Sequence, residues 1–373
     1  GIPKIKEFNT GNNFGNAYFQ MNQRSGKRWS AARAFLDTAQ KRPNLTVMTE
    51  AMVQKLALEQ TDKGLVATGV HVHHKGQAQL ITARKEVLLA AGAVASPQIL
   101  QLSGIGEPQL LRQHGIEAKR ELPGVGDNLQ DHLQIRTIYS VDNTVTLNRR
   151  AKYPWGMAKM GLEYFFNKTG PMTMPPSQLG AFAKSDPSQA SANIEWHVQP
   201  LSLDKFGSPL HKYDAITPSV CNLRPSSRGS ISITSTDPAA APAIKPNYLS
   251  TQEDLDVAVA GLKFTRQIMS APALQPFNPK ELKPGAHLTS EEDLASAAGD
   301  LGTTISHPVG TCKMGNDPLA VVNDRLQVHG VIGLRVIDAS IMPTITSGNT
   351  NAPTVMIAER GADFIKSDNG HSA

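Results

Sequence analysis

The chain has little cysteine and no long apolar run, and each absence excludes a class of protein. Its 373 residues include two cysteines, Cys221 and Cys312. Two cysteines cannot form the disulfide framework of a small secreted domain, and they show no metal-ligand spacing. No apolar run reaches the length of a membrane-spanning helix. We therefore expect a protein of a reducing compartment, located in the cytoplasm or at the periphery of a membrane.

The sequence also lacks the signatures of several function classes. The net charge is +5, and its 37 lysines and arginines are scattered without a long basic run, so nucleic-acid binding is not indicated. No GxSxG, HExxH or CxxC motif is present. His71 and His73 share one face of a predicted strand, but no third ligand has a suitable spacing, so no metal site is predicted.

The hydrophobic pattern that is present predicts a mixed α and β protein. Residues 86–92 form a continuous apolar run ending in Gly92, which is typical of a strand buried on both faces of a parallel sheet. Residues 336–338 indicate a second central strand of that sheet. Alternating apolar residues between 53 and 81 predict an antiparallel meander, and 44–47 a short strand. Residues 194–198 and 229–234 alternate as half-buried antiparallel strands would.

The segment from 306 to 354 carries the strongest functional signal. It contains SHPVGTCKMG (306–315), LRVIDASIMP (334–343) and SGNTNAPT (347–354). These stretches predict a histidine in a turn punctuated by Pro and Gly, a buried strand ending in Asp338, and a polar loop that leads into a helix. Taken singly, His307 is more often a turn residue than a catalyst, and Asn349 favours a loop for conformational reasons alone.

Together these stretches resemble the C-terminal part of the glucose–methanol–choline (GMC) flavoprotein oxidoreductases. In that family a second site residue, in the loop before the last helix, acts together with the histidine of the turn. Here this position is Asn349, which is typical of the choline dehydrogenase-like branch. Further stretches that resemble the family are SGKRWSAA (25–32), GAVASPQILQLSGIG (92–106) and PGVGDNLQDH (123–132). The likeness runs from about residue 11 to residue 368 and is weakest between about 143 and 224. Several long motifs in one order make this a specific signal.

The resemblance implies a fold and a reaction. The fold class would be α/β plus α+β. Residues 1–140 and 300–373 would form an incomplete Rossmann-like FAD-binding domain. Residues 141–299 would form a substrate-binding domain on an antiparallel sheet flanked by helices. The reaction would be FAD-dependent oxidation of an alcohol to an aldehyde. His307 would take the hydroxyl proton, and the amide of Asn349 would donate to the substrate oxygen.

The same resemblance carries over the positions that would contact FAD. They are the end of one predicted strand, the ends of two strands of the parallel sheet, and the start of the last helix. The residues are Val53, Ala91, Gly92, Asp338, Ala339, Asn351, Pro353 and Thr354. Asp127, Asp131 and His132 lie in a motif that the resemblance makes structural, so no catalytic role is predicted for them. The site is thus expected to hold one essential base and not a coupled histidine pair.

A flavin-binding fold of this type opens with a strand, a GxGxxG turn and a helix, and the sequence has no such turn. We therefore expect a fragment that lacks the N-terminal βαβ unit. Such a chain would associate with an N-terminal fragment of the same protein or form a homo-oligomer, because a missing central strand exposes apolar surface. FAD itself would then be absent if that unit is not supplied.

Three other functions stay open at this point. The same fold supports hydroxynitrile lyases, which keep a flavin without net redox chemistry. The chain could also be a cofactor-free, inactive fragment or a plain ligand-binding module. The sequence leaves undecided which alcohol would be oxidised, whether oxygen or a quinone or other electron carrier accepts the electrons, and which oligomer forms.

Overall fold

The computed structural model describes residues 1–205 and 207–370. These residues form two compact units. Unit one comprises Gly1–Val47, Leu133–Leu223 and Gln252–Thr304, and unit two comprises Met48–His132, Arg224–Thr251 and the chain from Ile305 onward. Each unit is therefore built from three separate stretches of the sequence, and each is described below by itself.

The regular elements are short strands and helices. The strands are β1 Gly15–Tyr18, β2 Gln23–Arg24, β3 Lys27–Arg28, β4 Ala51–Thr61, β5 Gly64–His74, β6 Gln77–Thr82, β7 Val87–Leu89, β8 Ile105–Gly106, β9 Arg120–Glu121, β10 Leu133–Arg136, β11 Ile138–Ser140, β12 Leu179–Ala183, β13 Ile194–Gln199, β14 Ala215–Asn222, β15 Ser230–Ser232, β16 Ala243–Lys245, β17 Lys280–Lys283, β18 Gly302–Thr304, β19 Val331–Ile332 and β20 Leu334–Val336. The α-helices are α1 Asp37–Ala39, α2 Gly92–Leu102, α3 Pro108–Gln113, α4 Leu147–Ala151, α5 Pro154–Asn167, α6 Gln252–Met269, α7 Glu291–Leu301 and α8 Asn351–Asp368. Short helical segments of other types cover Ala32–Leu36, Pro171–Thr173, Pro272–Phe277 and Ala339–Ile341.

Unit one is organised around an antiparallel sheet with the strand order β1-β12-β13-β14-β10-β18; β11 also pairs with β14, and β17 pairs with β11. Alternation along β13 sends Trp196 to one face and Glu195 and His197 to the other. The fully buried Trp196 packs against Phe264 of α6, and its indole N–H donates to Thr265 Oγ1 at 2.8 Å. Helix α6 therefore covers the Trp196 face of the sheet.

Unit two contains the antiparallel meander β4–β5–β6, with β19 added parallel to β5, and the parallel pair β7–β20. The N–H of Ile337 donates to the carbonyl of Leu89 at 2.8 Å and extends the parallel ladder beyond β20. Helix α8 lies along this pair in the opposite direction, because Asp368 near its end bonds to Arg335 while Gly361 packs on Ile337. The N-terminus of α8 thus points toward the carboxyl ends of both strands.

The sequence pattern predicted part of this arrangement. The meander and the parallel pairing of residues 87–89 with 334–336 are confirmed. The strand expected at 44–47 is wrong, since these residues are exposed and pair with no strand of the described chain. The expectation that the first parallel strand is buried on both faces is also wrong, because Leu88 is 46% exposed. Strand β13 is buried on both faces, although alternation had predicted one exposed face.

The compact units divide the chain at other points than the expected boundaries of 140 and 300. Residues 1–47, expected in the cofactor domain, belong to unit one together with the large antiparallel sheet. Residues 224–251, expected in the substrate domain, belong to unit two. Strand β1 pairs with β12 more than 160 residues later, a long-range pairing that no local pattern announces. Among the described residues no helix is both long and apolar enough to cross a membrane.

Candidate active site

The turn around His307 is fixed by its own backbone. Ser306 has a φ of 63°, a left-handed conformation that is uncommon for a residue other than glycine. Pro308 follows and restricts His307 to extended backbone. The main-chain N–H of His307 donates to Asp131 Oδ1 at 2.8 Å. The half-buried imidazole is therefore presented from a turn with little conformational freedom.

The turn PGVGDNLQDH (123–132) supports this segment from the side. Gln130 and Val309 exchange both main-chain hydrogen bonds, at 3.0 and 2.9 Å. Asn128 Nδ2 donates to the carbonyls of Gly310 and Pro343, both at 3.2 Å. Gly310 has a φ of 94°, and a Cβ there would lie 2.5 Å from the carbonyl oxygen of Asn128. Glycine is therefore required where the two segments meet.

The structure brings a second histidine to the predicted base. His132 Nδ1 lies 3.0 Å from His307 Nδ1, with the two rings nearly perpendicular at 82°. His132 is fully buried, while His307 is only half-buried. This contact was not expected, but the expectation of one essential base, which rested on Asn349 at the second catalytic position, concerns ionisation during the reaction and stays a prediction. Sequence reasoning missed His132 because 175 residues separate it from His307 and its motif had been given a structural role.

Asp131 ties three parts of unit two together. One carboxylate oxygen accepts the His307 N–H, and the other accepts the hydroxyl of Tyr248 at 2.5 Å. Asp131 is buried, so both contacts are shielded from water. Neither Asp131 nor Tyr248 was predicted as a site residue. The one sequence signal was the position of Asp131 directly before His132.

The predicted strand-end positions do meet at one edge of the parallel pair. Asp338 Oδ2 accepts the N–H of Gly92 at 2.9 Å and the hydroxyl of Ser96 at 2.5 Å, and Oδ1 accepts the N–H of Ser340 at 2.8 Å. The N–H of Ala91 in turn donates to Ser96 Oγ at 3.1 Å. The buried Asp338 carboxylate thus holds the ends of both strands. The nearby thiol of Cys312 is neutral, because burial and then the charge of Asp338 raise its pKa.

The first turn of α8 carries the other predicted cofactor positions. Asn351 is exposed and Pro353 and Thr354 are half-buried, and no side chain caps the helix. Thr354 bonds back to the Thr350 carbonyl through its N–H at 3.0 Å and its hydroxyl at 2.7 Å. The orphan N–H groups and the positive end of the helix dipole favour a polar or anionic group at this place.

Two predicted residues lie apart from these contacts. Asn349 is exposed in the loop before α8, and its side chain makes no hydrogen bond within the described part of the chain. Val53 lies in β4, opposite Val72 of β5, beside an irregularity in the strand register. His71 and His73 lie in β5, and across residues 1–205 and 207–370 no three His, Cys, Asp or Glu side chains converge as a metal site would need.

The strand ends and the start of α8 fit the FAD that the resemblance implies. Ala90 and Ala91 are exposed, and a Cβ placed on Gly92 would meet nothing within 4 Å, so the main chain is open to a ligand. Gly92 also has a φ of 83°, which glycine adopts without strain. The fit concerns these elements alone, because the sequence contains no GxGxxG turn to hold a pyrophosphate.

Comparison with known proteins identifies the family. Two family models, both described as GMC oxidoreductase, match residues 1–134 and 225–358. An alcohol dehydrogenase [acceptor] of Pseudomonas putida is 40% identical over 362 residues, which are 96% of this chain and 65% of that protein. An oxygen-dependent choline dehydrogenase of Cronobacter sakazakii is 42% identical over 343 residues, 91% of this chain and 60% of that protein. The chain thus spans less than two thirds of the length of these relatives.

Solved structures of other proteins superpose on the fold of this chain. Pyridoxine 4-oxidase from Mesorbium loti superposes with a TM-score of 0.85 at 28% identity, covering 100% of this chain and 68% of the other. An FAD-dependent oxidoreductase from Chaetomium thermophilum superposes with a TM-score of 0.87 at 26% identity, covering 97% of this chain and 69% of the other. By both motif and fold, this chain belongs to the GMC oxidoreductase family.

Proposed function

We propose that the protein oxidises an alcohol to an aldehyde with FAD, using His307 as the base. The observation that carries the proposal is the fixed His307 turn, held by Asp131 and flanked by a second imidazole, in the unit that also contains the parallel strand ends. Bound FAD would supply the hydride acceptor. Two similar proteins are named as dehydrogenases of alcohols and of choline, which supports the same class of donor here.

The main chain would make most of the FAD contacts. The side chain of Asp338 is already occupied by three internal hydrogen bonds, so FAD would meet the backbone of Ala91, Gly92 and Ala339. The first turn of α8, with Asn351, Pro353 and Thr354, would place its N–H groups and dipole toward a polar part of the ligand. Val53, in the neighbouring meander, would contact a more distant part of the nucleotide.

His307 and Asn349 would act on the alcohol. The imidazole would take the hydroxyl proton as the hydride leaves carbon, a role that contributes about 10²–10⁴-fold in rate. Asn349 would donate its amide N–H to the substrate oxygen and stabilise its developing negative charge. Its exposed side chain is engaged by no internal hydrogen bond in the described chain, so the amide is available to a ligand.

The test is the rate at which bound flavin is reduced by alcohols without oxygen. We expect His307→Ala to slow reduction by about 10²–10⁴-fold, since general-base assistance is lost. His73→Ala is the matched control, because His73 is exposed on β5, and it should reduce at the wild-type rate. Unchanged reduction in the His307→Ala protein would remove His307 from the mechanism. Cyanide release without flavin bleaching would replace oxidation with a lyase reaction.

A further inference from the structure

Helix α5 of unit one presents an apolar face to solvent. Trp155, Leu162, Phe165 and Phe166 are 71%, 58%, 68% and 72% exposed. Their spacing of seven, three and one residues places them within one side of an α-helix. None of the residues of α5 is buried. An exposed stripe of large apolar side chains on one helix marks a surface that contacts something other than water.

The helix is well formed despite this exposure. Pro154 occupies its first position, where a missing N–H is harmless, and Lys168 ends it in a left-handed conformation with a φ of 53°. The N–H of Lys168 closes the last turn on the carbonyl of Tyr164 at 3.1 Å. With 14 residues the helix is about 21 Å long. The apolar face is therefore an ordered feature of the surface.

Positive charge surrounds this face. Between residues 147 and 170 the chain has five cations, Arg149, Arg150, Lys152, Lys159 and Lys168, and a single carboxylate, Glu163, whereas the whole chain has a net charge of +5. Arg149 pairs with the buried Asp214. The exposed cations of the β2–β3 hairpin adjoin the end of the helix, where Gly26 packs on the main chain of Lys168.

We propose that α5 docks on an anionic membrane surface. Its Trp, Leu and Phe side chains would enter the interface while the surrounding lysines and arginines meet lipid phosphates, as in amphipathic helices that lie in the plane of a membrane. The charge is what favours a membrane over a second copy of the chain. Two such faces would bring like charges together, whereas an anionic surface attracts each cation.

Sedimentation with lipid vesicles tests this docking. The protein should bind vesicles that contain phosphatidylglycerol and not vesicles of phosphatidylcholine alone, and binding should fall with salt. Lys152→Gln with Lys159→Gln should weaken binding roughly 30-fold, about fivefold for each charge. Phe165→Ser with Phe166→Ser should weaken it by about 100-fold or more. Intrinsic tryptophan fluorescence, to which the exposed Trp155 contributes together with Trp29 and Trp196, should shift to the blue on binding.

Matched controls lie on the meander of unit two. Met52→Ser with Leu80→Ser, and Lys63→Gln with Lys75→Gln, change exposed side chains of the same types and should leave vesicle binding unchanged. The proposal fails if the wild-type protein does not bind anionic vesicles, or if the Phe165 and Phe166 variant binds equally. A dimer that the same variant abolishes, without vesicle binding, would assign the face to a second copy of the chain.

The histidine pair of unit two carries a second, independent inference. Two ring nitrogens 3.0 Å apart need one proton between them, because two N–H groups would repel and two lone pairs would not bond. One of His132 and His307 must therefore be protonated on Nδ1, and the other must have a bare Nδ1.

We infer that His132 is a positioning residue that sets the tautomer of His307. The inference rests on the proposed function, in which His307 needs a bare Nε2 to accept the hydroxyl proton. His307 then carries its proton on Nδ1 and donates it to His132. The opposite arrangement would put the proton of His307 on Nε2 and block the base. After His307 has taken the hydroxyl proton on Nε2, its Nδ1–H still donates to Nδ1 of His132. The uncharged His132 ring thereby stabilises the imidazolium cation of His307.

The backbone keeps the two rings in this relation. The carbonyl of His132 accepts the N–H of Ile305 at 3.3 Å, Gln130 and Val309 pair in both directions, and Asp131 accepts the N–H of His307. The segments that carry the two histidines are thus joined at three successive places. A ring displaced by one rotamer would break the contact, so the geometry is specific to this pair of side chains.

Nitrogen-15 NMR of the side-chain nitrogens of histidine tests the inference directly. In the wild-type protein we expect a protonated Nδ1 and an unprotonated Nε2 for His307, assigned by the signal that His307→Gln removes. His132→Phe keeps a ring but removes the acceptor, and it should move the proton to Nε2. His132→Asn returns an acceptor near the position of Nδ1 and should restore the wild-type tautomer. Flavin reduction should fall about tenfold or more in His132→Phe and recover in His132→Asn.

The two readouts separate this inference from the proposed function. If alcohols reduce the flavin while wild-type His307 is protonated on Nε2, the positioning role is wrong and the function stands. If His307 has the expected tautomer and no alcohol reduces the flavin, the function is wrong and the tautomer assignment stands. A His132→Phe protein with wild-type tautomer and rate would also remove His132 from its role.

Discussion

At the scale of single residues, the sequence identified the turn that holds His307 but not its neighbour. Residues 306–315 resemble a known motif, so His307 could be singled out without the fold. His132 and Tyr248 approach the same turn through Asp131 and a direct ring contact, which only the folded chain creates. Contacts between residues more than 100 positions apart leave no local pattern, and for that reason the residues around His307 could not be predicted.

A buried ion pair in unit one gives a prediction about pH. His197 Nε2 lies 3.1 Å from Glu195 Oε1, and both side chains are almost fully buried. Burial lowers the pKa of His197, but the adjacent Glu195 charge and contact outweigh it, so the net pKa is raised. Because the pKa of His197 is higher in the folded than in the unfolded state, its protonation stabilises the fold. This stabilisation is complete at pH values below the ordinary histidine pKa of about 6.5, and it is lost as the pH rises through the raised pKa of the folded state.

We therefore expect the free energy of unfolding to lose a contribution as the pH rises above about 6.5, and Glu195→Gln to lack this decline. The measurement is urea denaturation at several pH values, taken as the difference between variant and wild type so that other titrations cancel. Glu292→Gln, at an exposed position of α7, should follow the wild-type curve. A wild-type protein and a Glu195→Gln protein with parallel pH profiles would contradict the assignment.

At the scale of elements, periodicity predicted which segments are strands better than it predicted their burial. The meander follows from alternation and from its two turns, because both signals are local. Leu88 is exposed although its strand is a continuous apolar run, since exposure depends on what covers a face and not on the run itself. The strand expected at 44–47 shows the same limit, because a strand also needs a partner.

The packing of α8 on the parallel pair gives a prediction about stability. A Cβ on Gly361 would lie 2.7 Å from Ile337 Cγ2, and this β-branched side chain cannot easily move away. Gly299 of α7 is also helical, but a Cβ there would meet nothing within 4 Å. Alanine is favoured over glycine in a helix by about 1 kcal/mol, whereas overpacking costs about 1–3 kcal/mol.

We expect Gly299→Ala to stabilise the protein by about 0.5–1 kcal/mol and Gly361→Ala to be less stable than Gly299→Ala by about 1–3 kcal/mol. Urea denaturation of both variants and the wild type measures the two differences. Equal stabilisation by the two alanines would show that α8 does not pack closely on Ile337.

At the scale of the whole molecule, the motifs gave the family and the order of elements but not the division of the chain. The units are discontinuous, and residues 1–47 join the large antiparallel sheet through the pairing of β1 with β12. The strand ends at Gly92 and Asp338 and the start of α8, where the resemblance placed the cofactor contacts, lie in one unit.

The proposed function centres on the transfer of a hydride from an alcohol to FAD. The most direct measurement is the visible absorption spectrum of the purified protein, recorded without oxygen before and after addition of a panel of primary alcohols that includes choline. We expect flavin bands in the resting spectrum that bleach when a substrate alcohol is added. Flavin bands that persist against every alcohol, or a spectrum without flavin, would contradict the account.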